Sequence, residues 1–104
     1  MRPGRLIACV FALGAMAVPA HAATIQITMQ DLVVTPAEVS AKVGDTIEWI
    51  NKDGFAHTAT ARNGDWDVIM PPKKIVTSVL NKAGAVEYYC RFHPNMKATL
   101  VIAP

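Results

Sequence analysis

The sequence predicts an all-β protein, an antiparallel Greek-key β-sandwich or barrel. Short stretches of alternating apolar and polar residues recur along the chain, and turn signals separate them about every eight to twelve residues. No convincing helical period follows residue 22. Short strands at this spacing are typical of antiparallel sandwiches and barrels.

The first 22 residues are predicted to be a cleaved signal peptide and not part of the fold. Residues 2–5 include two arginines, residues 6–18 are almost wholly apolar, and residues 20–22 read Ala-His-Ala, which suits signal peptidase. The apolar run is shorter than the about 20 residues of a membrane-spanning helix. Pro19 also argues against the alternative of an uncleaved membrane anchor. We therefore expect export, with the mature protein in the periplasm.

Removal of the leader changes the charge and the cysteine count. The whole chain has 10 basic and 8 acidic side chains, and loss of Arg2 and Arg5 leaves equal numbers. A neutral protein is poorly suited to nucleic acid or an anionic membrane, so we expect no nucleic acid and no stable membrane association. Cys9 leaves with the leader, so Cys90 is the only thiol of an exported chain. A bound metal would protect such a thiol.

Residues 23–104 are predicted to form a single domain, because no repeat, linker or low-complexity tract interrupts them. In their first half Ile25, Ile27 and Met29 share one strand face, and Ile47 and Trp49 share another, which makes Trp49 a core residue in this interpretation. The predicted elements are strands at Thr24–Met29, Thr46–Asn51 and His57–Thr60, with a short apolar run at Leu32–Val34 and an edge segment at Glu38–Val43.

The second half begins with the least regular stretch, residues 61–74. Here Pro71-Pro72 follows an apolar run and excludes a central strand. Strands are predicted at Ile75–Leu80 and Val86–Cys90, with a further alternating segment after Met96. The alternate residues expected to face the core are Val86, Tyr88 and Cys90, and then Met96, Ala98, Leu100 and Ile102.

A cluster of metal-ligating side chains lies between the last two of these segments. Cys90, His93 and Met96 follow the spacing Cys-x2-His-x2-Met, and Pro94 suits the second position of a tight turn that folds them together. Thiolate and thioether are soft donors and imidazole is intermediate, a set that suits copper better than magnesium, calcium or manganese. Zinc stays an alternative on spacing alone. His57 offers the second imidazole that a copper site needs.

Two stretches of the chain resemble the cupredoxins, the small blue copper proteins, and within them the amicyanins and pseudoazurins. One runs over residues 43–53 to His57-Thr58, and the other runs over residues 83–90 to His93-Pro94-Asn95-Met96. The resemblance covers most of residues 23–104, and the short ligand loop is similar to that of the amicyanins. Four features depart from the pattern. Thr58 stands where amicyanins have asparagine, Ala98 stands where many relatives have glycine, and Val79-Leu80 replaces a common aromatic residue. Asp65-Trp66-Asp67 has no counterpart.

The resemblance implies a type 1 site with one copper ion per chain. His57, Cys90 and His93 would form a trigonal plane, and Met96 would be a long axial ligand. The resemblance also implies that the backbone N–H of Thr58 donates to the Cys90 sulfur. The exposed edge of His93 would be the route of the electron.

The predicted ligand set is compatible with three classes of function. The resemblance favours a monomeric electron carrier and not an enzyme. It would cycle copper between Cu(I) and Cu(II), taking electrons from a periplasmic dehydrogenase and passing them to a c-type cytochrome or an oxidase. A copper chaperone or store would use the same ligands without redox traffic, but chaperones usually expose open, Met-rich sites. A cysteine hydrolase using Cys90 with His57 or His93 lacks an orienting partner and an oxyanion-hole signature.

The contact surface for a redox partner is expected where His93 emerges. Arg91 and Lys97 flank the ligand loop and would favour an acidic rim on the partner. The apolar residues expected at this surface are Phe55, Ala56, Met70, Pro71, Phe92 and Pro94.

Overall fold

The chain folds as two packed β-sheets in the computed structural model, which describes residues 21–104. Within these residues, all of the regular secondary structure is β-strand. The strands are β1 (Thr24–Gln30), β2 (Val33–Thr35), β3 (Glu38–Lys42), β4 (Thr46–Asn51), β5 (His57–Ala61), β6 (Asp67–Met70), β7 (Ile75–Val79), β8 (Gly84–Tyr89) and β9 (Lys97–Ala103).

The predicted signal peptide lies almost wholly outside the described residues. It covers residues 1–22, and only residues 21 and 22 belong to the described part of the chain. Its cleavage therefore stays a prediction. Between residues 21 and 104 the structure has no helix with the length and apolar character needed to span a membrane.

The strand order is β2-β1-β4-β7 in the four-stranded sheet and β3-β9-β8-β5-β6 in the five-stranded sheet. This arrangement confirms the predicted all-β sandwich. The sheets are mixed and not purely antiparallel, because β1 pairs in parallel with β4, and β3 with β9. Between β1 and β4 the chain passes through β3 in the other sheet, and parallel neighbours require such a crossover connection.

The core lies between the inner faces of the sheets and follows the predicted alternation. Ile27, Met29, Ile47 and Trp49 of the four-stranded sheet are fully buried, as expected from their shared faces. The Trp49 ring meets Tyr88 edge-on at a centroid distance of 5.4 Å, a favoured aromatic geometry. The predicted inward residues of the other sheet are all buried: Val86, Tyr88, Cys90, Met96, Ala98, Leu100 and Ile102.

Strand β6 lies within residues 61–74, the stretch for which no strand was predicted. It is an edge strand of the five-stranded sheet, and Pro71 follows it directly, in agreement with the expectation that no central strand passes here. Met70 is fully buried and pairs with His57 across β5 and β6. The prediction that Met70 belongs to the exposed contact surface is therefore wrong, because strand pairing turns this side chain into the core.

One end of the sandwich collects the candidate ligands. Strands β4 and β8 end there, and β5 and β9 begin there. We call this end the ligand end, defined by the loops at residues 52–56 and 90–96. The opposite end, where β4 begins after Asp45, is the far end.

Candidate metal centre

The loop that carries three of the candidate ligands is folded by its own backbone. The Cys90 N–H donates to the Met96 carbonyl at 2.9 Å, and the Met96 N–H donates to the His93 carbonyl at 2.8 Å. The His93 N–H donates back to the Cys90 carbonyl at 3.2 Å. Pro94, which lacks an N–H, sits within the second of these turns without losing a bond. The loop therefore brings His93 and Met96 back beside Cys90, as the tight-turn prediction required.

The donor atoms of His57, Cys90 and His93 all lie within 4.8 Å of one another. The Cys90 sulfur is 3.7 Å from Nδ1 of His57 and 3.8 Å from Nδ1 of His93. Cys90 and His57 are fully buried, whereas His93 is half-buried. Met96 is also buried and belongs to the same loop. The structure thus places all four predicted site residues at the ligand end.

These distances allow a test of whether a metal ion fits. With metal–nitrogen bonds of about 2.0 Å and a metal–sulfur bond of about 2.3 Å, an angle of about 120° separates the nitrogen from the sulfur by about 3.7 Å. A tetrahedral angle would give about 3.5 Å. The distances from Cys90 are close to both values, so a metal ion can be held between the thiol and either imidazole, and the donor set decides which ion suits the site. Trigonal sites of two histidines and one cysteine, with a weak axial methionine, are those of blue copper. The residues present therefore fit copper.

Thr58 makes hydrogen bonds to the thiol of Cys90 and to the residue that follows it. Its backbone N–H donates to the Cys90 sulfur at 3.3 Å, the bond that the family resemblance implies. Its hydroxyl accepts the backbone N–H of Arg91 at 2.9 Å. A threonine therefore links the two ligand segments at the position where amicyanins have asparagine.

Asp53 orients His57 from the side away from the cysteine. Its Oδ2 lies 2.7 Å from Nε2 of the imidazole. Because Nδ1 faces the Cys90 sulfur, Nε2 carries the proton and donates to the carboxylate. Burial alone would raise the pKa of Asp53, but hydrogen bonds from the Asp31 N–H and from His57 outweigh it and lower that pKa. An anionic partner of this kind fixes the tautomer and ring orientation of a ligating histidine.

The loop that carries Asp53 is organised by a buried asparagine. The amide nitrogen of Asn51 lies 2.9 Å from the Phe55 carbonyl, 3.1 Å from that of Pro71 and 3.2 Å from that of Met70. Its side-chain oxygen accepts the Asp53 N–H at 2.9 Å. All polar atoms of this buried side chain therefore have partners, which makes the loop rigid.

An aromatic side chain covers the two imidazoles. The ring centroid of Phe55 lies 5.2 Å from that of His57 and 5.2 Å from that of His93. Phe55 is about half exposed, so it forms part of the outer surface at the ligand end. An open hollow beside His93 is lined by Leu32, Phe92, His93, Pro94, Asn95 and Met96.

Several residues around the site were missed by sequence reasoning. Asp53 is absent from the predicted site, although an acidic side chain four residues before a candidate ligand is a signal that could have identified it. Leu32 was not placed at the contact surface because it lies 61 positions before His93. Thr60 and Asp67 carry no local signal, since their contacts depend on strand pairing. Asn51 was assigned correctly to the end of a strand.

The chain is similar to known proteins over most of its length. A family model described as a cupredoxin-like domain matches residues 5–102. The chain is 29% identical over 101 residues to the methylamine utilization protein MauL of Methylorubrum extorquens, covering 93% of this chain and 89% of that protein. It is 29% identical over 91 residues to amicyanin of Paracoccus versutus, covering 82% and 67%. The crystal structure of amicyanin from Paracoccus versutus matches with a TM-score of 0.65 and 26% identity, covering 85% of this chain and 87% of that one.

Proposed function

This chain belongs to the cupredoxin-like family, and we propose that it is an exported electron carrier holding one copper ion through His57, Cys90, His93 and Met96. Members of this family are electron-transfer carriers and not enzymes, in agreement with the prediction for this chain. The observation that carries the proposal is the approach of both Nδ1 atoms to within 3.8 Å of the Cys90 sulfur, in a set of donors that suits copper. Copper supplies the one-electron change between Cu(I) and Cu(II).

The residues contribute rigidity to this process. Ligands that keep their positions in both oxidation states favour fast electron transfer, and the site has such support on each side. Asp53 holds His57, Thr58 holds Cys90, and three backbone hydrogen bonds hold the loop of residues 90–96. This closed and buried arrangement favours a carrier over a copper chaperone. Burial of the Cys90 thiol also leaves a hydrolase substrate without access.

A visible absorption spectrum of the copper-loaded, oxidised protein tests the proposed function. We expect an intense blue band from thiolate-to-copper charge transfer. The control is the same protein loaded with zinc, which should be colourless. A protein that binds zinc in preference to copper, and stays colourless with Cu(II), would reject the carrier.

The proposed surface for a redox partner surrounds the half-buried His93. Phe55 and Phe92 are about half exposed there, and Leu32 extends the apolar area across the hollow beside the imidazole. Arg91 is paired with Asp67 at 3.2 Å, which leaves Lys97 as the cation better placed to meet an acidic rim. Transient redox interfaces of this kind are small, under about 1,200 Å² in total.

The partner surface is tested by electron-transfer kinetics with a small c-type cytochrome as acceptor, measured across ionic strength. We expect Phe92→Ala to slow the reaction at every salt concentration, because it removes apolar contact area. Lys97→Glu should change mainly the modest salt dependence, since surface charges are screened over about 8–10 Å. A steep salt dependence combined with no effect of Phe92→Ala would contradict this surface.

The mature domain is proposed to start at Ala23. The Ala23 N–H donates to Oδ1 of Asp45 at 2.8 Å, and Asp45 is 2% exposed. Cleavage after Ala22 would place an ammonium group beside this carboxylate, and charge-assisted bonds are stronger than neutral ones. The mass of the protein recovered from the periplasm tests the cleavage site. A chain that begins at another residue would exclude this start.

A further inference from the structure

A closed ring of hydrogen bonds begins and ends at the residue after Cys90. The backbone N–H of Arg91 donates to Oγ1 of Thr58 at 2.9 Å, and that oxygen lies 2.9 Å from Oγ1 of Thr60. The Thr60 hydroxyl donates to Oδ1 of Asp67 at 2.6 Å. The Arg91 side chain closes the ring, with Nε 3.3 Å from Oδ1 and Nη2 3.2 Å from Oδ2 of the same carboxylate.

The direction of each hydrogen bond in this ring is determined. A hydroxyl has one proton to donate, and Thr60 donates its proton to Asp67. The Thr60 oxygen must therefore accept from Thr58, whose own oxygen accepts from Arg91. Each hydroxyl accepts on one side and donates on the other, towards an anionic end. Hydrogen bonds aligned in this way polarise and strengthen one another.

The ion pair in the ring is weak by itself. The side chains of Arg91 and Asp67 are 37% and 47% exposed, and an exposed pair contributes little to stability. Thr58, in contrast, is fully buried, and Thr60 is half-buried. Asp67 therefore acts on the buried Thr58 through the hydroxyl groups of Thr60 and Thr58, and not through its ion pair with Arg91.

We propose that Thr60 and Asp67 are positioning residues for the metal centre. They fix the hydroxyl of Thr58, which accepts the N–H of Arg91, while the backbone N–H of the same threonine donates to the Cys90 sulfur. The inference rests on the proposed function, because positioning matters if copper is bound there. Asp67 belongs to the segment Asp65-Trp66-Asp67, which has no counterpart in the family pattern.

The ring is tested first in the metal-free protein by hydrogen exchange at the Arg91 amide. Thr60→Val keeps the shape of the side chain but removes the hydroxyl, whereas Thr60→Ser keeps the hydroxyl. We expect protection of the Arg91 amide to fall about tenfold in Thr60→Val, as for the loss of one net hydrogen bond, and to be restored in Thr60→Ser. The Leu100 amide in the core serves as an internal reference for changes in global stability.

A matched control comes from the same sheet. Arg62 and Glu87 form another exposed arginine–carboxylate pair, at 3.4 Å with side chains 46% and 51% exposed. Arg62→Gln should leave the Arg91 amide unchanged, whereas Asp67→Asn should reduce its protection, because the anionic end of the chain is lost. Equal effects of Arg62→Gln and Asp67→Asn would overturn the proposal, since loss of any surface charge would then suffice.

The copper-loaded protein gives the second measurement. We expect Thr60→Val to shift the blue band and to slow electron self-exchange about tenfold, and Thr60→Ser to restore both. Unchanged Arg91 protection, or changed protection with an unchanged band and rate, would overturn the positioning role. A wild-type protein without a blue band would instead reject the proposed function, while the metal-free exchange data would still decide whether Thr60 and Asp67 hold Thr58.

Discussion

Strand β4 has a buried aspartate near each end. Each of the two carboxylates accepts a hydrogen bond from a backbone N–H, at opposite ends of the sandwich. Asp45 precedes the strand and accepts the N–H of Ala23 at 2.8 Å, whereas Asp53 follows it and accepts the N–H of Asp31 at 2.9 Å. Both donors lie 22 positions before their acceptors. The equal separation arises because β1 and β4 pair in parallel with a constant offset of 22 residues.

The second carboxylate oxygen distinguishes the two aspartates. Oδ2 of Asp45 accepts the Lys42 N–H at 3.0 Å and so closes a turn at the far end. Oδ2 of Asp53 is 2.7 Å from the imidazole of His57, a candidate ligand. The same kind of hydrogen bond from the backbone therefore holds an aspartate that stabilises a turn at the far end and an aspartate that orients a candidate ligand at the ligand end. Substitutions at the two ends should therefore separate stability from metal binding.

The largest expected effect comes from removing the thiolate at the ligand end. Cys90→Ala should abolish the blue band and most of the Cu(II) affinity, because the thiolate is the strongest donor of the set. The far end should be unaffected, with hydrogen exchange of the Thr46 amide as in the wild type. Absorption spectra and a copper titration measure the change. An intense visible band in Cys90→Ala would mean that the ligand assignment is wrong.

The different roles of Asp45 and Asp53 are tested by making the same substitution at both positions. Asp53→Asn should reduce copper affinity about 10- to 100-fold, because the imidazole loses its anionic partner. Asp45→Asn should leave copper affinity unchanged and lower the urea midpoint of unfolding. Competition with a chelator measures the affinity of each variant. Equal losses of affinity in the two variants would show that the ends are not independent.

A smaller effect is expected at the axial position. Met96→Leu should keep copper bound and raise the reduction potential, because an axial donor stabilises Cu(II) more than Cu(I). A rise on the order of 60 mV would be a tenfold change in the preference between the two states. Met29→Leu is the matched control, since Met29 is a fully buried core residue of β1. Cyclic voltammetry measures both potentials, and an unchanged or lower value in Met96→Leu would argue against an axial role.

Much of the ligand end could be predicted because its signals are local. Cys90, His93 and Met96 lie within seven residues, and strict alternation placed the thiol on the core side of its strand. The parallel pairing of β1 with β4 left no such signal, since it depends on how the chain crosses between sheets. The contact of Arg91 with Asp67 joins residues 24 positions apart, and only the assembled sheet brings them together.

The smallest expected effect is the response of the far end to acid. Hydrogen bonds from the backbone N–H groups of Ala23 and Lys42 lower the pKa of Asp45 despite its burial. A carboxyl group whose folded pKa lies below its unfolded value of about 3.9 adds stability above that value and loses this contribution as the pH falls towards the folded pKa. Urea unfolding of the metal-free protein between pH 7 and pH 3 should therefore show a midpoint that falls on acidification, and Asp45→Asn should make that fall shallower. Asp53 and Asp67 also have lowered pKa values and account for the slope that persists in the variant. Parallel pH profiles for Asp45→Asn and the wild type would show that Asp45 contributes nothing through its charge.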